Sequence, residues 1–168
     1  MKQLVAVAVE ADQHGTFYHN PTIITDYLSA VKYQKEVDMG VRDFYVEFVT
    51  YPEGTDLDKT IDDIENFDTL SDDWTDWLML EEVLQFFGIE SATYDDGTTA
   101  EIGDPVVVKS DDFSWGLLAK EDLNGTVTLL DDPFYIQLNL DDMNRQVRIP
   151  HYKVRKRSEN NNTESNNN

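Results

Sequence analysis

A chain of 168 residues with 34 acidic and 13 basic side chains carries a net charge of −21. Such a field repels nucleic acid and anionic membrane and steers the chain toward a basic partner. There is no cysteine, which removes disulfides, thiolate nucleophiles and zinc–thiolate sites, while 40% apolar and 11% aromatic residues are enough to bury a core.

Residues 3–9 form an unalternating, valine-rich run, Leu4-Val5-Ala6-Val7-Ala8-Val9, broken at Glu10. This pattern predicts a central strand covered on both faces, and it is too short for a signal-peptide core or a bilayer span. Asn20-Pro21 then reads as a helix N-cap followed by the proline favoured at the first helical position. Ile23, Ile24, Tyr27, Leu28 and Val31 follow at helical spacing, with Gly40 beyond the end. The run Phe44-Tyr45-Val46-Glu47-Phe48-Val49 predicts a strand with Phe44, Val46 and Phe48 on one side. Strand, helix, strand in this order predict a βαβ unit with a right-handed crossover.

After the turn Pro52-Glu53-Gly54, the residues Leu57, Ile61 and Ile64 mark an amphipathic helix. Its opposite face carries Asp58, Asp62, Asp63 and Glu65. A second helix is predicted from Ser71, with Asp72 and Asp73 in its first turn. It would run through Trp74, Asp76, Trp77, Leu78, Leu80, Leu84 and Phe87 to Gly88. Trp74, Trp77 and Phe87 share one face there and are expected in the core; Met79 and Phe86 lie off it and are the candidates for a contact surface.

Asp95-Asp96-Gly97 marks a turn and a domain boundary, giving an acidic α/β domain over 1–97. Beyond it the hydrophobic period changes from helical to two. Strands are predicted at 106–109, 114–121, 126–130, 134–140 and 146–149, with Asn124-Gly125 as the strongest hairpin signal and a last short strand at 153–155. This layout resembles an SH3-like barrel in architecture over residues 101–155, without that family's Ala-Leu-Tyr-Asp-Tyr run. The expected fold class is therefore α+β: an N-terminal βαβ-containing α/β part with acidic helices, a small five-stranded SH3-like β-barrel over 98–157, and a disordered Asn-rich tail over 158–168. Trp115 and Tyr135 are candidates for a groove on the barrel surface, or equally for its core. The bases at Lys153, Arg155, Lys156 and Arg157 read as a nuclear or nucleic-acid signal, or more simply as a cationic end drawn to an anionic body.

The charge is uneven. Residues 1–100 hold 22 acids and 5 bases, whereas residues 101–157 hold 10 acids and 8 bases. Asp58, Asp62 and Glu65 fall on one helical row, and Asp72 and Asp76 repeat the spacing on the next predicted helix. Carboxylates so placed are about 5–6 Å apart at Cβ. Phosphates along one DNA strand rise about 3.4 Å per nucleotide before winding is added. In length, charge and absence of catalytic motifs the chain resembles the small DNA-mimicking inhibitors of phages and mobile elements, the antirestriction and anti-CRISPR proteins. That resemblance implies a non-enzymatic, cytoplasmic protein without cofactor, which occupies a basic groove of a nucleic-acid-binding enzyme and binds neither nucleic acid nor membrane itself. The plain alternative is a solvated acidic face serving solubility, or the charge of a protein from a high-salt organism.

Two further readings remain. One is an adaptor or scaffold module that meets a protein partner through the C-terminal barrel. The other uses Asp12, His14 and His19, which with Glu10 fall after the first strand, where α/β sheets bind ligands. The step Asp12-x-His14 resembles the first motif of calcineurin-like metallophosphoesterases and implies a metal-dependent hydrolase, although the family's Gly-Asp-x-x-Asp and Gly-Asn-His motifs are absent. A capped surface loop is the simpler account of these residues. No phosphate-binding glycine loop and no serine elbow occurs.

Overall fold

The computed structural model describes residues 1–40, 44–70, 73–109 and 121–158. It divides into two compact units, Met1–Gly88 and the chain from Ile89 onward. Among the described residues no helix is long and apolar enough to cross a membrane.

The first unit is a four-stranded sheet of β1 (Gln3–Asp12), β2 (Gly15–Ile24), β3 (Tyr45–Tyr51) and β4 (Asp76–Leu78), in the order β2-β1-β3-β4. The valine run is indeed a central strand: Leu4 to Val9 are all buried. Every pairing in the sheet is antiparallel, so the expected βαβ unit is absent. The reason lies at Asn20-Pro21. These two residues stand in β2 opposite the single residue Val7, in a bulge between the pairs Ala6↔Thr22 and Ala8↔His19. Asn20 takes a left-handed φ of 51° there, and Pro21, which has no N–H to give a ladder, sits on an outer strand. Residues 13–14 close a hairpin, and Ile23 and Ile24 end β2 instead of opening a helix. The helix α1 (Tyr27–Gly40) starts after Asp26, whose carboxylate accepts the Ser29 N–H at 2.7 Å.

Alternation along β1 sorts the sheet into two faces. Val5, Val7 and Val9 join Val49, Tyr51, Leu57 and Ile64 in one core under α2 (Leu57–Phe67). Leu4, Ala6 and Ala8 point the other way, where α1 packs with α3 (Leu80–Phe86). The second predicted helix is thereby corrected. Its middle, Asp76–Leu78, is the strand β4 paired with Thr50, Val49 and Phe48 of β3, and only Leu80–Phe86 is helical. The predicted start at Ser71 and Asp72 lies outside the described residues.

The second unit is a five-stranded antiparallel sheet of β5 (Pro105–Val108), β6 (Leu123–Leu129), β7 (Tyr135–Leu140), β8 (Arg145–Pro150) and β9 (Val154–Lys156). Among the described residues the order is β8-β7-β6-β5-β9, with β8 and β9 outermost. The expected SH3-like barrel is contradicted, because closure requires the outer strands to pair, and β9 instead lies antiparallel on the far side of β5. The predicted strand at 114–121 falls outside the described residues except for its last position. Asn124-Gly125 is no hairpin turn. Both residues are inside β6, opposite Val107 and Val106 of β5, and a Cβ on Gly125 would lie 2.8 Å from the Asn139 carbonyl oxygen of β7. Glycine is needed there for close strand approach. The actual β7–β8 turn ends at Asn144, with φ 42°. Asp95-Asp96-Gly97 does form a turn, inside the second unit: Thr93 bridges Thr99, and the Asp95 N–H donates to the Val154 carbonyl. The core gathers Tyr94, Val106, Val108, Val127, Ile136, Leu138, Leu140, Ile149 and Val154.

Candidate interaction surface

The acidic face of the first unit is built by α2. Leu57, Thr60 and Ile64 are buried at helical spacing against the sheet, which turns Asp58, Asp62 and Glu65 to solvent and leaves Asp63 half-buried. Asp56 caps the helix by accepting the Lys59 N–H at 3.1 Å. Asp68 closes it with a left-handed φ of 51° and its N–H on the Ile64 carbonyl. Asp58 stands in the first turn, where the macrodipole favours an anion, but local helix stability does not explain the rest of the row. Asp58/Asp62 and Asp62/Glu65 are like-charge neighbours at about 0.2–0.5 kcal/mol of repulsion each, and Glu65 stands in the last turn, where the macrodipole opposes an anion.

The acidic row does not continue as predicted. Asp76 lies on β4 and the exposed Asp73 precedes it outside any helix, while Asp72 is beyond the described residues. The tryptophans move with them. Trp74 and Trp77, expected in the core, are 41% and 60% exposed, because a three-residue strand replaces the helix face that would have buried them. Met79 is 57% exposed, and Phe86 is half-buried.

Ion pairing separates the two units. In the second unit Asp95 pairs with Arg155 at 2.5 Å, Asp104 with Lys156 at 3.3 Å, Asp122 with Lys109 at 3.0 Å and Asp131 with Arg148 at 3.1 Å. The basic cluster near the end of the chain is thus engaged by acids of its own unit, and Lys153 is buried. In the first unit Asp58, Asp62, Asp63, Glu65, Asp73 and Asp76 form no ion pair among the described residues. Between Thr60 and Gly88 the sequence holds nine acids and no Lys, Arg or His.

The remaining candidates scatter. Asp12, at the end of β1, accepts the His14 N–H at 2.6 Å and so serves its own turn, with the His14 ring beside Gln13. His19 projects from β2 rather than from a loop, 3.3 Å from Glu10 and 4.0 Å from Asp68, its ring edge-on to Phe44. It borders a recess of about 220 Å³ walled by Ala8, Tyr33, Val37 and Phe44. Among the described residues no three acids and histidines gather as a metal site. Tyr135 is half-buried, with the Arg148 guanidinium 5.7 Å above its ring. Trp115 lies outside the described residues.

One carboxylate went unnoticed in the sequence. Glu47 is 4% exposed in the middle of β3, opposite Val7 and on the α2 face. Burial pushes its carboxyl above the ordinary range, against a hydrogen bond from the Tyr45 hydroxyl. The same cluster raises the Tyr45 and Tyr18 phenols, first through burial and then through the charge of Glu47. The signal available was its place in the apolar run Val46–Val49, where a strand covered on both faces has no solvent side for a charge.

Comparison with protein-family models, with curated proteins and with solved structures gives no match to this chain.

Proposed function

We propose that this is a non-enzymatic acidic binding protein whose first unit occupies a basic groove of a nucleic-acid-binding enzyme, in the manner of antirestriction and anti-CRISPR inhibitors. The observation that carries the reading is the contrast in pairing: Asp95, Asp104, Asp122, Asp131 and Asp141 of the second unit meet bases of the same unit, while Asp58, Asp62, Asp63, Glu65, Asp73 and Asp76 of the first form no ion pair among the described residues. Unpaired carboxylates on a rigid helix are a preorganised counter-surface for Lys and Arg, with the strongest steering at low salt. The proposal places the protein in the cytoplasm, the host's if a phage or mobile element encodes it.

The test is capture of nucleic-acid-binding enzymes from a host lysate across a salt series, with duplex DNA as competitor. Retention should fall with salt, be displaced by DNA and be lost when Asp58, Asp62, Glu65 and Asp76 are neutralised together. Retention indifferent to salt, or to that neutralisation, would sink the proposal. The competing adaptor reading predicts loss with Tyr135→Ala instead, and the hydrolase reading predicts metal bound through Asp12, His14 and His19 in the purified protein.

A further inference from the structure

We infer that β4, with Trp74, Trp77 and Met79 around it, is the docking edge on which an extended basic segment of the partner adds as a further strand to the first sheet. The inference rests on the acidic-binding reading above and names the contact through which it works. Among the described residues the two sheets have four outer strands, and proteins normally blunt such edges by keeping them very short or with proline, bulges or charged side chains, Lys above all. β2 carries Pro21 and a bulge, β8 carries Arg145, Arg148 and Pro150, and β9 carries Arg155 and Lys156. β4, reading Asp76-Trp77-Leu78, is only three residues long and its single charge is the anion Asp76, which an incoming basic strand would pair with; it has neither proline, bulge, Lys nor Arg. Its register sets Trp77 opposite Val49 and Leu78 opposite Phe48, so an incoming strand would continue two apolar rows already begun in the sheet.

The aromatic groups beside this edge are the ones the fold leaves in solvent. Trp74, Trp77 and Met79 are each between 41% and 60% exposed within six residues of chain. Trp is the residue most enriched at binding hot spots, and its face attracts a guanidinium. Asp73, Asp76, Glu81 and Glu82 interleave with them. Charge decides the occupant. A second copy would set these carboxylates against their own counterparts on a unit that holds 19 acids and 5 bases over residues 1–88. A segment alternating Arg or Lys with β-branched residues satisfies backbone, aromatic and carboxylate groups together.

The test uses the intact chain and short fluorescent peptides: one alternating Arg and Val, one alternating Arg and Gly at equal charge, and one alternating Glu and Val. Anisotropy should show Arg/Val binding about tenfold tighter than Arg/Gly, no binding of Glu/Val, and slowed amide exchange at residues 76–78 in the complex. Trp77→Ala should cost about tenfold for Arg/Val and little for Arg/Gly. Asp76→Lys, which places a base on the edge without disturbing the core, should abolish the preference. Neutralising Asp58, Asp62 and Glu65 should weaken both basic peptides alike. If the two basic peptides bind equally and ignore Trp77→Ala, the docking edge is refuted while the acidic-face reading stands. If neither binds at low salt, both fail. Binding of Glu/Val, or self-association of the chain that Trp77→Ala removes, would overturn the assignment of a basic occupant.

Discussion

Gly125→Ala adds one methyl group at the most crowded glycine described in the second unit. The new Cβ would lie 2.8 Å from the Asn139 carbonyl oxygen and 3.5 Å from a Leu140 methyl. Ordinary contact begins near 3.4 Å, so the strands must separate by about 0.6 Å at this point. Neither side yields easily. β6 is held by β5 and β7, and Asn139 lies in β7, which is itself paired with both β6 and β8. Overpacking against backbone costs about 1–3 kcal/mol, and each kcal/mol lowers Tm by about 4–8 °C for a unit of this size. Thermal and urea unfolding of the second unit, compared with the parent chain, measures it. A Gly125→Ala chain as stable as the parent would refute the register, and would favour a turn at Asn124-Gly125 instead.

Three more outcomes follow from the first unit. Glu47→Gln should stabilise it at neutral pH by on the order of 1 kcal/mol. The folded carboxyl is raised by burial, so its favourable contribution belongs to the protonated form and is lost as pH rises from the ordinary carboxylate range through the folded value. The gain from Gln should therefore vanish in acid and level off above that window, as urea titrations across pH would show. Ile64→Ala removes a fully buried contact between α2 and the sheet and should cost about 2–5 kcal/mol in the same assay. Asp56→Ala deletes the cap on α2, worth about 1 kcal/mol, and should raise amide exchange in the first turn of that helix before it affects the sheet.

Legibility in the sequence tracked how local the deciding interaction was. α2 was readable because Leu57, Ile61 and Ile64 recur at helical spacing opposite a face of acids, all within one element; its Asp56 cap was not read. The central position of β1 was readable because burial on both faces removes the polar alternation. Asn20-Pro21 misled because an asparagine before proline suits a helix start and a bulged outer strand equally well; only the pairing with β1 separates the two. Trp74 and Trp77 misled because a helix through them would make an apolar face, whereas β3 recruits Asp76–Leu78 from across the chain. Asn124-Gly125 and the supposed barrel failed for the same non-local reason. Gly125 answers to Asn139 in another strand, and whether five strands close depends on where β9 docks. For the acidic surface, composition revealed the excess of charge. It did not reveal that Asp95, Asp104, Asp131 and Asp122 of the second unit are met by Arg155, Lys156, Arg148 and Lys109, while the α2 acids Asp58, Asp62, Asp63 and Glu65 form no ion pair among the described residues.

The most direct test of the acidic-binding reading is the salt dependence of capture, comparing the parent chain with one carrying Asp58→Asn, Asp62→Asn and Glu65→Gln. The account predicts that nucleic-acid-binding enzymes are retained by the parent at low salt, released by moderate salt or by duplex DNA, and not retained by the neutralised chain. Equal retention by both chains, unchanged by salt and by DNA, would contradict it.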